Sequence, residues 1–491
     1  MEGGPVQAFS GRTPNSHIIH CGDGLYYNLR EGRGSRLRLQ CRHYKKGCRG
    51  TGTVSLQTGW LDHLQPHNHE PDPLLLEDME MRRAMIFEAQ TNIYGKKIRC
   101  ILNDFKLGCR NVDLASRFTT VRMKSSLYLA RSSNYPKIPE TLIHLGVLLG
   151  TPDMRPMCRT VDGTDYIFQG VVGNIMAGSV ALIFVSGRML QFLQSRDNLH
   201  SDGTFKKRSK KPKMTQIFHI VTKYGENVVA IARVLMLRRT TEAYVTVIEH
   251  LKNLAPNMHP QRIHCDFERA EMNAWKRTFP RSRVVWCLWH YGVAFSSYAH
   301  SLGLRTLALE NERVFKFIKA LGGAPLLPCD LIWRGVLQIW DEVERSPWSN
   351  QLRPLFEYFE REWKPRVDEL SVFDCPERSN NCSESDNHAL ASLIPQNRPN
   401  CFHLIGSFVK LEHLAWCDKS AIDDGRQVTG RRKWKTVHND RTVMWGINLL
   451  KSNQISLAHF LHMTSYVINA AVMQGLRMKR VADDSSDSDS E

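Results

Sequence analysis

Residues 200–221 read HSDGTFKKRSKKPKMTQIFHIV, and this stretch decides the fold. A short, partly apolar run ends at Asp202, six cationic side chains follow, and a second apolar run begins at Met214. The two runs predict β-strands. Asp202 is then either a solvated turn residue or a metal-binding carboxylate beside a track for a polyanion.

Strand-like and helix-like segments alternate on both sides of this stretch. They run from YIFQGVVG at residue 166, through the helix TTEAYVTVIEHLKNLA at 240 and the strand RIHCD at 262, to RVVWCL at 283. This alternation indicates an α/β sheet. The pattern is almost wholly helical from 291 to 375, and SNNCSESDNHALASL at 379 begins a further helix. We therefore expect an α/β domain that carries an all-helical insertion.

Composition restricts the class of protein. The 491 residues, 42% of them hydrophobic, suffice for two to four domains. Lys and Arg outnumber Asp and Glu by 66 to 49, a net charge of +17 that favours a polyanionic partner. The 13 cysteines are scattered and residues 1–20 lack an apolar segment, so we expect an intracellular protein. IMAGSVALIFV, at 175–185, is too short to cross a membrane and is expected to be a buried strand.

The N-terminal region contains a set of metal-ligand residue types. The set is Cys41, Cys48, His67 and His69. Zinc in a closed structural site takes four such ligands, and two histidines two residues apart face the same side of an extended segment. Because small units commonly need metal to fold, we predict structural zinc here, with His43 and His63 as reserve ligands. The alternative is unconnected cysteines in a basic loop.

Two aspartates each end a predicted strand. Asp202 ends one strand and Asp266 ends another, and functional side chains converge at such strand ends. Two carboxylates brought together there can hold magnesium or manganese for phosphoryl chemistry. Ordinary turn residues remain the alternative from spacing alone. Glu384 has its own alternative, a capping box in which Asn381 is the N-cap.

Taken in order, DGTFK, CDFERA, CLWH and RSNNCSE resemble the catalytic domain of Mutator-like element (MULE) transposases, over roughly residues 160–395. The resemblance implies an RNase H-like fold with a DDE metal site. Its catalytic, metal-binding acids would be Asp202, Asp266 and Glu384. Cys287 and His290 match the family's CxxH near the active site. The family often has Gly-Trp after its glutamate, where this chain has Ser385 and Asp386, and Asp386 is the second-choice acid.

The cysteine and histidine set resembles the FLYWCH-type zinc finger. Tyr26 and Tyr27 stand near the expected upstream aromatics, whereas Leu39 replaces the tryptophan that is usual two positions before the first cysteine. Zinc in such a finger is structural, and the finger serves to contact DNA or protein.

These resemblances imply a DNA-binding transposase that cuts and joins strands with magnesium or manganese, as a homo-oligomer when active. The expected DNA-binding cations are Lys206, Lys207, Arg208, Lys210, Lys211 and Lys213. The alternative is a domesticated, catalytically idle zinc-finger regulator of transcription. GRRKWK at 430 suggests nuclear import, with a solvated loop as the alternative. Ser486 and Ser488 are candidate substrates of an acidophilic kinase, and no membrane partner is expected.

The expected organisation has eight segments. They are a flexible arm (1–20), a FLYWCH-like finger (21–72), a helical linker domain (73–158), the first part of the RNase H-like core (159–290), a helical insertion (291–378), the final core helix (379–400), a helical C-terminal region (401–480) and an acidic disordered tail (481–491).

Overall fold

The computed structural model describes residues 4–10, 16–33, 35–91, 96–133, 135–176, 178–375, 377–394, 396–430 and 434–478. The chain divides into two compact units, Met1–Pro136 and Lys137–Glu491. Across these described ranges, no helix combines the length and the apolar character that a bilayer crossing requires. The predicted acidic tail with Ser486 and Ser488, and most of GRRKWK, lie outside the described residues.

The first unit combines an antiparallel sheet with a group of helices. The strands are β1 (Gly4–Pro5), β2 (Gln7–Ser10), β3 (His17–His20), β4 (Tyr27–Arg33), β5 (Arg36–Cys41), β6 (Thr51–Ser55) and β7 (Trp60–Gln65). The helices are α1 (Leu75–Thr91), α2 (Ile98–Gly108), α3 (Val112–Ser116) and α4 (Thr120–Ser132). The strand order across the sheet is β1-β7-β6-β5-β4-β3-β2.

The N-terminal segment differs from the flexible arm that we expected. Gly4 and Pro5 pair with Leu61 and Trp60 of β7, and β2 pairs with β3. These strands are short and rich in Gly, Pro and polar residues, so their sequence lacks the alternation that marks a half-buried strand. Their place in the sheet comes from pairing with β7 and β3.

Leu39 lies in the small core of this sheet. It is 2% exposed and packs with Tyr27, Val54 and Leu61, which are all buried. The leucine therefore fills the position at which the sequence departs from the usual tryptophan. The helices have a separate core, to which Met85, Ile101, Phe118, Met123 and Leu127 contribute.

The second unit contains a mixed sheet covered by helices. Its strands are β8 (Phe168–Asn174), β9 (Ser179–Phe184), β10 (Asn198–Thr204), β11 (Gln216–Tyr224), β12 (Asn227–Met236), β13 (Arg262–Cys265) and β14 (Arg283–Trp286). The helices up to residue 301 are α5 (Leu142–Gly150), α6 (Gly187–Gln194), α7 (Thr241–Leu254), α8 (Arg269–Thr278) and α9 (Leu288–Ser301). The α/β prediction is confirmed, and the predicted buried strand within 175–185 is β9.

Helices make up the rest of this unit. They are α10 (Leu304–Glu310), α11 (Glu312–Gly322), α12 (Cys329–Glu344), α13 (Ser349–Tyr358), α14 (Val367–Leu370), α15 (Asn381–Leu393), α16 (Cys401–Asp423), α17 (Trp434–Lys451), α18 (Leu457–Thr464) and α19 (Asn469–Arg477). The stretch predicted to be helical after residue 290 contains α10 to α14. It packs against the C-terminal helices, with α18 on α12 and α19 on α9 and α11.

The sheet order is β14-β13-β10-β11-β12-β9-β8. β10, β13 and β14 are parallel, whereas β11 is antiparallel to both of its neighbours. Side chains of β11 alternate between two helical layers, as a strand buried on both faces requires. Phe218 contacts Tyr244 of α7 with ring centroids 5.2 Å apart, while His219 binds Asp386 of α15 on the opposite face. The α15 helix thus lies across β10, β11 and β12.

Candidate functional site

Asp202 and Asp266 reach the same cavity from neighbouring parallel strands. Asp202 lies near the end of β10, and Asp266 directly follows β13, with His200 opposite His264 in the register. Because parallel strands end at the same edge of a sheet, the two carboxylates converge there. They line an open cavity of about 690 Å³.

Asp202 is held by three groups. Its Oδ1 accepts a hydrogen bond from the Gly203 N–H at 2.7 Å, and its Oδ2 accepts one from the Asn387 side-chain amide at 3.0 Å. His219 Nε2 lies 3.7 Å from the same Oδ2. Burial opposes ionisation, but His219 and the two donors hold the pKa of Asp202 below its ordinary value. A Cβ at position 203 would come within 2.2 Å of the Gln216 side chain, which explains the glycine after this aspartate.

Asp266 is surrounded by the CxxH residues and the start of α15. Its Oδ1 accepts from the Asn380 side-chain amide at 3.1 Å, and His290 Nδ1 lies 3.0 Å from the same atom. The Asn380 backbone N–H donates to Cys287 Sγ at 3.2 Å, and its side chain also donates to the Ser201 carbonyl at 2.9 Å. Cys287 and His290 therefore contact Asp266 or the residue that binds it. This arrangement fits a positioning role.

Glu384 stands outside the lining of the cavity. Its side chain is exposed, yet it shares one helix face with Asn380 and Asn387, which lie four residues before it and three after it. Those two residues are the ones whose amides bind Asp266 and Asp202. The face of α15 that carries Glu384 thus adjoins both aspartates.

The capping-box alternative for Glu384 is wrong. The helix begins at Asn381, so Asn381 is not the N-cap, and the preceding Asn380 makes no capping hydrogen bond with its side chain. The amide of Asn380 is instead engaged by Asp266 and Ser201. Its Oδ1, the atom that would cap the helix, accepts from the Ser383 hydroxyl at 2.8 Å.

Asp386, the second-choice acid, faces away from the cavity. Its Oδ2 lies 2.7 Å from His219 Nδ1, and Arg233 donates to its Oδ1. Burial opposes its charge, but Arg233 and His219 lower the pKa of Asp386 to about 2. Burial likewise opposes protonation of His219, but Asp202 and Asp386 raise its pKa to about 9. His219 therefore connects this buried ion pair to Asp202.

Sequence reasoning missed His219, Arg233, Asn380 and Asn387. The two strand residues stand in runs that otherwise read as buried, QIFHIVT and NVVAIARVLM. A cationic residue in such a run must find a buried partner, and this signal was available in the sequence. The two asparagines offered no comparable signal, because asparagine near a helix start is usually a cap.

Two further carboxylates beside Asp266 were also missed. Glu268 lines the cavity and accepts a hydrogen bond from the Tyr244 hydroxyl at 2.8 Å. Burial raises its pKa, and the charges of Asp202 and Asp266 raise it further. Glu271 is fully buried against Ser201, and burial raises its pKa well above the ordinary range. This concentration of carboxylates makes a bound cation favourable.

The basic run after Asp202 divides into two groups. Lys207 Nζ donates to the Ile394 carbonyl and Arg208 donates to the Thr215 carbonyl, each at 2.7 Å. These two cations therefore hold the loop. The four exposed cations are Lys206, Lys210, Lys211 and Lys213.

In the first unit, the four predicted finger ligands form one cluster. They are Cys41, Cys48, His67 and His69, and one ligand atom from each lies within 4.8 Å of the others. Cys41 Sγ is 3.2 Å from His69 Nε2, Cys48 Sγ is 3.5 Å from His67 Nδ1, and the two nitrogens are 3.1 Å apart. A zinc tetrahedron with bonds of about 2.0 Å to nitrogen and 2.3 Å to sulfur has edges of roughly 3.3–3.8 Å. The donor set and its spacing fit zinc.

The ring nitrogens that face away from this cluster are also engaged. His67 Nε2 lies 2.8 Å from the Tyr27 hydroxyl, and His69 Nδ1 lies 2.9 Å from the Glu70 carbonyl. Such partners fix the tautomer and orientation of metal-binding histidines. Of the reserve ligands, His43 packs on the His69 ring, and His63 belongs to a separate group with Cys21 and Asp23. Neither belongs to the four-residue cluster.

The second unit is thus a mixed α/β domain with a carboxylate-lined cavity where its parallel strands end. Residues 198–292 match the family described as the MULE transposase domain. That segment begins with β10 and ends in α9, so it contains Asp202, Asp266, Cys287 and His290 but not Glu384. The match supports a transposase-type function that acts on DNA. A search of the curated proteins gives no match to the chain.

Proposed function

We propose that this protein is a DNA transposase that cuts and joins strands at the Asp202–Asp266 cavity, within an RNase H-like core. The central strands lie across the sheet in the order β12-β11-β10-β13-β14, and only β11 is antiparallel to the rest. If these five strands are numbered from one to five along the chain, the order is 3-2-1-4-5. This order supports the RNase H-like assignment. The helical stretch after β14 supports the helical insertion, residues 291–378, that the family resemblance implies.

One observation carries the proposal: Asn380, directly before α15, and Asn387, within it, each donate a side-chain amide to one of the two aspartates in a single cavity. The hydrogen bonds of Asp266 fall on Oδ1, and a carboxylate has about four acceptor positions, so both aspartates keep oxygen lone pairs for a ligand. Hard oxygen donors of this kind suit magnesium or manganese. Asp202 and Asp266 would hold the ions, and Glu384 would complete the set from the adjoining helix face.

When bound, a pair of divalent ions supplies the Lewis acidity that activates the attacking oxygen and stabilises the leaving oxygen of a phosphodiester. The protein's own residues do the positioning. Asn387 and His219 fix Asp202, while Asn380 and His290 fix Asp266. Cys287 holds Asn380 through its backbone N–H.

The proposal assigns structural zinc to the four finger ligands and a FLYWCH-type module to β1–β7. DNA would bind along the exposed lysines after Asp202, Lys206, Lys210, Lys211 and Lys213. Nuclear localisation and a homo-oligomeric active form belong to the same proposal, because two element ends must be processed together on chromosomal DNA. Phosphorylation of Ser486 and Ser488 by an acidophilic kinase is part of it as well.

The test uses the purified full-length protein and duplexes that carry the sequences flanking its own gene. With magnesium or manganese, the wild-type protein is expected to nick or join these duplexes. Asp202→Asn is expected to abolish the reaction while leaving DNA binding unchanged. The matched control is Asp341→Asn, an exposed aspartate on α12 far along the chain from these residues.

Retained binding with no cleavage under either metal would refute the enzyme and favour the alternative, a domesticated regulator of transcription. The finger cluster is the observation that favours this alternative, since its ligands are assembled without any contribution from the carboxylate cavity. Sequence-selective binding that disappears when zinc is removed would then be expected. Selectivity that survives deletion of residues 21–70 would count against the regulator.

A further inference from the structure

The α3 and α4 helices of the first unit form a short helix–turn–helix. Three residues, 117–119, join them. Asn111 caps α3 by accepting from the Leu114 N–H at 3.1 Å, and Thr119 caps α4 by accepting from the Arg122 N–H at 3.2 Å. Two helices joined by so short a turn and packed on further helices are the arrangement of many DNA-binding motifs.

Ion pairs to Asp78 of α1 and to Asp72, three residues before α1, fix this turn. Arg117 Nη2 lies 2.8 Å from Asp72 Oδ1, and Arg122 Nη2 lies 2.7 Å from Asp78 Oδ2. Arg122 also donates to the Arg117 carbonyl at 2.9 Å. The Asp78 side chain is 6% exposed and that of Arg122 is 32% exposed, so the pair is partly shielded from solvent. These contacts therefore fix the direction in which α4 leaves the turn, without a contribution from a ligand.

One face of α4 packs inward and the other is exposed. Met123, Leu127 and Ala130 are buried in the helical core. The exposed face carries Val121, Lys124, Ser125, Tyr128 and Leu129, at the spacing of one helix side. Val121 is 92% exposed and Leu129 is 71% exposed. Apolar side chains this exposed, interleaved with an ammonium and two hydroxyls, indicate a surface that binds something.

The charge of this region selects the partner. Residues 96–133 contain nine cationic side chains and two carboxylates. Among the residues that the structure describes, no carboxylate pairs with five of these cations: Lys97, Arg99, Lys106, Arg110 and Lys124. Such an excess favours a polyanion through counterion release. The mixed apolar and polar face of α4 suits base edges, because valine or leucine can contact thymine methyl groups while lysine, serine and tyrosine make hydrogen bonds.

We propose that α4 is a recognition helix that enters the major groove of duplex DNA, separate from the finger and from the carboxylate cavity. A helix fits the wide major groove of B-form DNA, whereas the major groove of A-form RNA is too narrow to admit it. The inference rests on the proposed DNA partner and not on strand chemistry.

The experiment selects bound sequences from a pool of random duplexes, using full-length, zinc-loaded protein with Asp202→Asn to prevent cleavage. Affinity for the selected duplex is then measured by fluorescence anisotropy. Lys124→Ala and Tyr128→Ala are each expected to weaken binding about ten-fold and to relax the selected sequence at the contacted positions. Lys316→Ala, an exposed lysine of α11 paired with Glu312 at 2.9 Å, is the matched control and should change neither.

Unchanged affinity and sequence preference in both α4 variants would overturn the inference. Equal affinity for duplex RNA of the same sequence would also overturn it. The inference would likewise fail if Val121→Asp converted an oligomer to a monomer without weakening DNA binding, because the exposed face of α4 would then contact a second copy of the chain. Because these side chains are exposed, loss of fold does not confuse the result, and circular dichroism of each variant checks this. Binding by α4 together with absent cleavage by the wild-type protein would refute the enzyme but leave the recognition helix in place.

Discussion

The two candidate metal sites of this protein differ in the length of chain that they draw on and in the size of the core around them. The finger ligands Cys41 to His69 span 29 residues, and the sheet that carries them has a core of five buried side chains. The acids Asp202 to Glu384 span 183 residues, and their sheet lies in a core that contains residues from β9 to α19. We therefore expect folding of the first site to depend on a bound metal, whereas protein contacts position the carboxylates of the second site whether or not metal is bound.

Removing zinc tests this contrast most severely. A chelator, or Cys48→Ser, is expected to unfold β3–β7 and leave the second unit folded, because structural zinc supplies about 10–16 kcal/mol in small fingers. Limited proteolysis with mass mapping should show new cleavage within residues 17–69 alone. Cys100→Ser, at an exposed cysteine of α2, is the control, and the protease should cleave it at the same positions as the wild type. A finger that stays protected without metal would erase the difference between the two sites.

The ion pair behind the carboxylate cavity should matter to folding of the second unit. Asp386→Ala leaves Arg233 and His219 buried without their carboxylate, so we expect a loss of about 3–5 kcal/mol in the free energy of unfolding. Denaturant unfolding followed by tryptophan fluorescence measures this. Asp424→Ala removes an exposed partner of Arg426 and should cost less than about 1 kcal/mol. Equal effects would mean that protein contacts do not hold α15 on the sheet.

Asp266→Asn should separate metal binding from folding in the second unit. We expect the manganese affinity of the zinc-loaded protein to fall sharply. Loss of an outer partner of a metal ligand lowers affinity about 10–100-fold, and loss of a direct ligand should lower it further. The unfolding midpoint without manganese should stay close to that of the wild type. Calorimetric titration with manganese measures the first quantity and thermal unfolding the second. If the second unit of Asp266→Asn is unfolded, as β3–β7 are expected to be without zinc, the folding of the second unit depends on metal as well.

The same contrast decides what the sequence could predict. The four predicted finger ligands lie close together in the chain, so their types and spacing were enough to predict the cluster that they form. Strands and helices of the second unit followed from periodicity, and Asp202 and Asp266 from their places at strand ends. Asn380 and Asn387 could not be found this way, because the aspartates that they bind are 114 and 185 residues away in the chain. The strands β1 and β2 were missed since pairing, and not their own composition, makes them strands.

The smallest expected effect concerns the outer contacts of the finger. Tyr27→Phe removes the hydroxyl that lies 2.8 Å from His67 Nε2, while the ring keeps its place in the core. We expect zinc affinity to fall about ten-fold with the sheet still folded, because the lost contact orients a metal-binding imidazole. Competition with a chromophoric chelator measures the affinity.

Tyr44→Phe, at an exposed tyrosine between the two cysteines, is the matched control and should bind zinc like the wild type. An unchanged affinity in Tyr27→Phe would show that the backbone alone orients His67. In that case the finger would need metal for its fold but no outer partner for its metal. The carboxylate cavity, whose acids are each held by an asparagine and a histidine, would then be the more elaborately supported of the two sites.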